Sequence, residues 1–211
     1  MQHVVLLGDS IFDNAAYVAG APDVVRQLRE ALPDGWRATL AAVDGGVVAD
    51  VPRQLARVPD DATHLVISVG GNDALGQSGI LEARAGSVAE VLDRLAAVQS
   101  QFRSGYAAML DRVLQLGLPL AVCTVYDPRY PDPVRRRLST VALGVINDAI
   151  MREAFARKLP LFDLRLICNE DSDFANPIEP SERGGRKIAT AIASLVAGPP
   201  GARSRSEVIA G

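Results

Sequence analysis

The sequence predicts an α/β fold of three layers, α/β/α, built around a parallel five-stranded sheet. Short β-rich apolar runs alternate with stretches of helical period, and each run ends in a Gly, Asp or Asn turn, as strands of a buried parallel sheet do. The length, 211 residues, suits one such domain.

Strands are expected over residues 4–7, 38–42, 65–69, 118–124 and 160–164, the first and third being the most hydrophobic. Helices are expected over residues 23–32, 51–57, 134–158 and 182–196. Between the third and fourth strands Val88, Val91, Leu92, Leu95, Val98, Phe102, Tyr106, Met109, Leu110, Val113 and Leu114 recur at three- and four-residue steps, a stripe that should pack on the sheet. Gly117 follows as the expected C′ residue, and Pro119 enforces the stop. Residues 1–197 are thus expected to form the domain. Residues 198–211, without periodic apolar positions, are expected to be a flexible tail.

Composition narrows the function. With 48% hydrophobic and 22% charged residues, and 13 Pro and 18 Gly scattered without period, the chain is neither disordered nor fibrous. Its 22 basic and 25 acidic side chains are spread evenly, for a net charge of −3, so no footprint for nucleic acid or an anionic membrane is present. Cys123 and Cys168 allow one disulfide at most and no Cys-cluster zinc site. The first residues carry neither a basic n-region nor a cleavage site, and their apolar run is too short to span a bilayer. A cytoplasmic setting without membrane insertion is the expectation.

In open parallel sheets ligands bind beyond the carboxyl ends of the strands, so the turns there are where chemistry is sought. The first strand runs into Gly8-Asp9-Ser10, which sets a hydroxyl on a tight turn beside backbone N–H groups. The second ends in Asp44-Gly45-Gly46, where a glycine lets the backbone turn an N–H toward a ligand. The third ends in Gly70-Gly71-Asn72-Asp73, which adds a neutral carboxamide donor of the kind that stabilises an oxyanion. Taken singly, each of these is an ordinary turn.

Taken in order, this set resembles the SGNH/GDSL hydrolase superfamily, over residues 1 to about 196. Tyr126-Asp127-Pro128 and Asn147-Asp148 are also similar to bacterial members. The resemblance implies a flavodoxin-like plan and hydrolysis of carboxylic esters through an acyl-serine. It implies Ser10 as nucleophile and an oxyanion hole of the Ser10 N–H, the Gly45 N–H and the Asn72 amide, with Gly46 the alternative glycine. It calls for no metal and no cofactor, and its partner is a small-molecule ester.

The last block departs from the family. Where Asp-x-x-His-Pro is usual, this chain has Asn176-Pro177-Ile178-Glu179-Pro180, so Glu179 stands at the position of the general base and Asn176 at that of its orienter. His3 and His64 are the two histidines, each at the start of a strand whose far end bears the candidate site. At about 3.3 Å per residue His64 lies roughly 20 Å from Asn72. Three readings follow: Glu179 deprotonates Ser10 directly; Asp171 or Asp173, on the same loop, supports it; or the domain is degenerate and binds an acyl or acetylated ligand without turnover. A solvated Glu titrates near 4.3, so the first needs burial to raise its pKa.

Overall fold

The computed structural model describes residues 1–198 and Val208. The expected tail, apart from Gly198 and Val208, lies outside the described residues.

Five strands, β1 (Gln2–Gly8), β2 (Trp36–Leu40), β3 (His64–Ser68), β4 (Leu120–Cys123) and β5 (Leu161–Phe162), form one sheet in the order β2-β1-β3-β4-β5. Every pairing is parallel. After β2 the chain crosses to the opposite side of β1, so the direction of winding reverses between β1 and β3. A crevice opens at the carboxyl ends of two strands at such a point. There Gly8 of β1 is in register with Ser68 of β3.

The helices are α1 (Val24–Ala31), α2 (Val51–Gln54), α3 (Gly71–Gly76), α4 (Val88–Leu114), α5 (Pro133–Ala156), α6 (Leu164–Ile167) and α7 (Glu182–Ala197). Their starts follow local capping chemistry. Asp23, Ser87, Asp132 and Ser181 each accept a backbone N–H of the first turn, and Pro133 occupies the first position of α5. Alternation along the strands divides the core in two. Val5, Leu7, Leu65, Ile67 and Val122 pack with α2, α4 and α5, whereas Val4, Leu6, Val66 and Cys123 pack with α1 and α7. Both cysteines are buried and free.

Several expectations are corrected. The second strand ends at Leu40 rather than residue 42, and the N–H groups of Ala41 and Ala42 both turn onto the Leu6 carbonyl. The helix expected over 51–57 is α-helical only to Gln54 and finishes as a 3₁₀ turn, Leu55–Arg57. Gly117 lies one residue later than expected: α4 ends at Leu114, and the Gly117 N–H returns to the Leu114 carbonyl at φ +67°. The α4 stripe packs on the core only from Val98 onward. Upstream the helix overhangs the core, leaving Val88 75% and Leu92 60% exposed. Period shows that a helix has an apolar face, but not how far the sheet beneath it extends.

Candidate active site

The first turn is shaped by contact with the neighbouring strand. Gly8 has φ +123°, and a Cβ there would lie 1.8 Å from the Ser68 carbonyl oxygen, so glycine is required. The Gln54 side chain grips the same residue from α2: its Oε1 accepts the Gly8 N–H at 2.7 Å while its Nε2 donates to the Gly8 carbonyl at 2.7 Å. Beyond Gly8, the Asp9 N–H donates to the Ser68 carbonyl, the Asp9 carbonyl accepts from Phe12 and Asp13, and Asp9 Oδ1 accepts the Ile11 N–H. The Ser10 N–H is left without a partner among the described residues, and the buried Ser10 Oγ donates to Glu179 Oε1 at 3.1 Å.

Glu179 stands on the loop before α7, tied down from several sides. Asn176 Oδ1 accepts the N–H groups of Ile178 and Glu179, an Asx turn that aims the residue from behind. The Glu179 carbonyl accepts from Ala175, Tyr126 Oη donates to the Ile178 carbonyl at 2.7 Å, and Asn14 Nδ2 donates to the Pro180 carbonyl. The side chain is 5% exposed, and its Oε2 is buried with no hydrogen-bond partner. Burial pushes its pKa up to about 7; the Ser10 hydrogen bond works against that rise and the negative charge of Asp44 adds to it.

The other two turns supply N–H groups. Gly46 donates its N–H to the Val43 carbonyl, closing a turn in which Gly45 has φ +77° and an N–H with no partner among the described residues. Of the two candidate glycines, Gly45 is the one whose N–H is free. Asn72, in the first turn of α3, donates from Nδ2 to the Gly46 carbonyl at 3.0 Å, which fixes the orientation of the amide and leaves a second N–H available. Ser10, Asn72 and Glu179 line one cavity.

Two further carboxyls sit beside this cluster. Asp9 is buried and its pKa is pushed up to about 8, chiefly by burial, with the Ile11 N–H opposing and Glu179 and Asp73 adding to the rise. Burial also raises Asp73, which accepts the Val48 N–H. Among the described residues no group of three His, Cys, Asp or Glu side chains is arranged to hold a metal ion.

Other candidates lie elsewhere. Exposed Asp171 pairs with Arg129 and Arg136 on the surface. Asp173 is fully buried; burial pushes its pKa up, but Lys187 Nζ at 2.7 Å and the Glu170 N–H hold it below the usual carboxylate value. The structure thus brings neither aspartate to Ser10. His3 is buried between Asp61 and Thr39, and His64 lies against Trp36 and Thr63, at the amino ends of their strands. Sequence reasoning did not single out Gln54, and no motif marks it. Asn147 had a signal in Asn147-Asp148: it holds the end of β4 as Gln54 holds β1, bonding both the N–H and the carbonyl of Val125 at 2.8 Å.

A doubly wound α/β domain with a serine, a free glycine N–H and an asparagine amide on three successive post-strand turns has the plan of an SGNH-type hydrolase. The chain belongs to the GDSL-like lipase/acylhydrolase family, whose sequence model matches residues 6–187. Its structure is similar to that of an extracellular lipase from Streptomyces rimosus, with 17% identity, a TM-score of 0.67, and 93% of this chain and 100% of that one covered. It is also similar to a lipase from a goat rumen metagenome (16% identity, TM-score 0.70, 94% and 99% covered). A third likeness is to a carbohydrate acetylesterase from Sinorhizobium meliloti (14% identity, TM-score 0.65, 93% and 99% covered). These likenesses establish the fold. Among curated proteins, none matches. No helix among the described residues is long and apolar enough to cross a membrane.

Proposed function

We propose that this protein is a serine hydrolase of carboxylic esters in which a Ser10–Glu179 dyad replaces the usual Ser–His pair. One observation carries the reading: the Ser10 hydroxyl donates at 3.1 Å to a buried carboxyl whose pKa is about 7. A carboxylate so raised is basic enough to take the serine proton near neutrality, and it has no tautomer for a third residue to fix.

Glu179 accepts the Ser10 proton as Oγ attacks the ester carbonyl carbon. The resulting oxyanion accepts hydrogen bonds from the Ser10 and Gly45 N–H groups and from the second N–H of Asn72. Collapse breaks the bond to the alkoxy oxygen, and protonated Glu179 returns the proton to the departing alcohol. Water then enters, gives a proton to Glu179 and attacks the acyl carbon. Collapse of this second intermediate releases the acid and restores the Ser10 hydroxyl. The unpartnered Oε2 of Glu179 supports this role, since a base held in a complete set of hydrogen bonds would be a weak one.

The test is hydrolysis of p-nitrophenyl esters by wild type, Ser10→Ala, Asn72→Ala and Glu179→Gln across the range from about pH 5 to pH 9. Ser10→Ala and Glu179→Gln are expected to abolish turnover. Asn72→Ala is expected to lower kcat by roughly 10²–10³-fold, the usual cost of one oxyanion donor. The active form has Glu179 ionised, so wild-type activity falls as pH drops through about 7. Full activity in Ser10→Ala would overturn the nucleophile, and full activity in Glu179→Gln would overturn the base. A wild type inert toward every ester would favour a binding domain.

A further inference from the structure

From Ser10, Asn72 and Glu179 a cavity of about 350 Å³ runs outward between α4 and α5. Its walls are mostly aliphatic, interrupted by Gln77, Ser78 and Ser139: α4 contributes Leu95 and Val98, α5 contributes Leu138, Ala142 and Val145, and the segment after α3 contributes Leu81. Val98 and Val145 also touch the core beneath, whereas Leu81, Leu95, Leu138 and Ala142 lie beyond it, where the helices overhang the sheet. Leu138 is 43% exposed as a result. Such an apolar face costs free energy in water unless something apolar lies on it. The charged lining residues are few, and most have partners or roles of their own. Asp9 and Glu179 belong to the reacting centre, Asp132 caps α5, Arg135 lies over the Tyr130 ring, and Glu82 is exposed.

We propose that this cavity holds the acyl chain of the substrate, which makes the preferred substrates esters of medium-chain apolar acids rather than acetates. The inference rests on the ester hydrolysis proposed above. Of the two halves of an ester, the acyl half stays bound to Ser10 while the alcohol leaves and water enters. The half that stays gains from an apolar wall, and the half that exchanges needs the polar side, where Asp44 and Gly45 are exposed and lie outside the cavity. At roughly 30 Å³ per water-sized group, the cavity has room for a chain on the order of ten carbons.

The experiment varies one half of the ester at a time, with p-nitrophenyl acetate, butyrate and octanoate for the acyl half and ethyl acetate and octyl acetate for the alcohol half. A fully buried methylene multiplies kcat/KM by about fourfold, so burial of only about two of the added methylenes puts octanoate more than about tenfold above acetate. Ala142→Phe, which places a ring in the cavity, should reverse that order, and Leu138→Gln, at a partly exposed site, should reduce it. Circular dichroism shows whether each variant is folded. Acetate hydrolysed as well as octanoate, octyl acetate preferred over ethyl acetate by as much as octanoate over acetate, or chain-length preference unchanged in both folded variants would overturn the acyl pocket while leaving ester hydrolysis standing. Failure of wild type on every ester would overturn the hydrolase, and octanoate binding by calorimetry then decides the cavity: binding that Ala142→Phe weakens supports an apolar-chain site, and no binding overturns it.

Discussion

At the scale of single residues, Asn176 fixes the loop that carries Glu179 from the backbone side. Its side chain accepts the backbone N–H groups of Ile178 and Glu179, and no hydrogen bond joins it to the carboxyl. Asn176→Ala should let the loop relax and lower kcat by about 10–10²-fold, since an error of an ångström in a reacting group carries penalties of that order. Asn176→Asp keeps the acceptor and adds a negative charge near Glu179. It should therefore restore much of kcat while moving the acid limb of the pH profile above its wild-type position. A purely structural role would not move that limb. Rate measurements on both variants against pH separate the two.

Among the secondary-structure elements, the site depends on strand ends that are held by side chains from helices. Gln54 of α2 completes the hydrogen bonding of Gly8 just before Ser10, and Asn147 of α5 does the same for Val125 beyond β4. Both close a ladder where no further strand residue is available. Gln54→Ala leaves the buried Gly8 N–H without a partner and should cost about 1–3 kcal/mol in urea unfolding, with a loss of activity through the loosened Ser10 turn. The overhang of α4 and α5 shows the reverse case. Helices longer than the sheet beneath them leave apolar faces uncovered, and those faces build the cavity beside Ser10.

For the molecule as a whole, the buried acids set a pH dependence of stability. Glu179 and Asp9 keep their protons to about pH 7 and about pH 8 in the native state, against ordinary values of 4.5 and 3.8. Between the ordinary and the raised values the native state binds more protons than the unfolded chain, so these two groups make stability fall as pH rises through that window. Glu179→Gln removes one of them. Its melting temperature relative to wild type should be higher at pH 8.5 than at pH 5, by roughly 5 °C. An equal difference at both pH values would show that Glu179 is not raised in the fold. In the proposed dyad, folding stability is thereby traded for a basic group beside Ser10.

What was readable before folding was local. Strand count, helix caps and the three post-strand turns depend on residues close in sequence, because propensity, capping and turn chemistry act over a few positions. The turns of Ser10, Gly45 and Asn72 were visible for that reason, as was the Asn176-Pro177-Ile178-Glu179-Pro180 block before the last helix. Only the tertiary structure decided what each side chain meets. It joined Ser10 to a carboxyl 169 residues away, engaged Asp171 with arginines and Asp173 with Lys187, and occupied the Gly46 N–H while leaving that of Gly45 free. It also ended the sheet short of the α4 stripe. Burial and partner choice are set by the packing of distant segments, and that packing raises the Glu179 pKa, which composition and spacing do not encode.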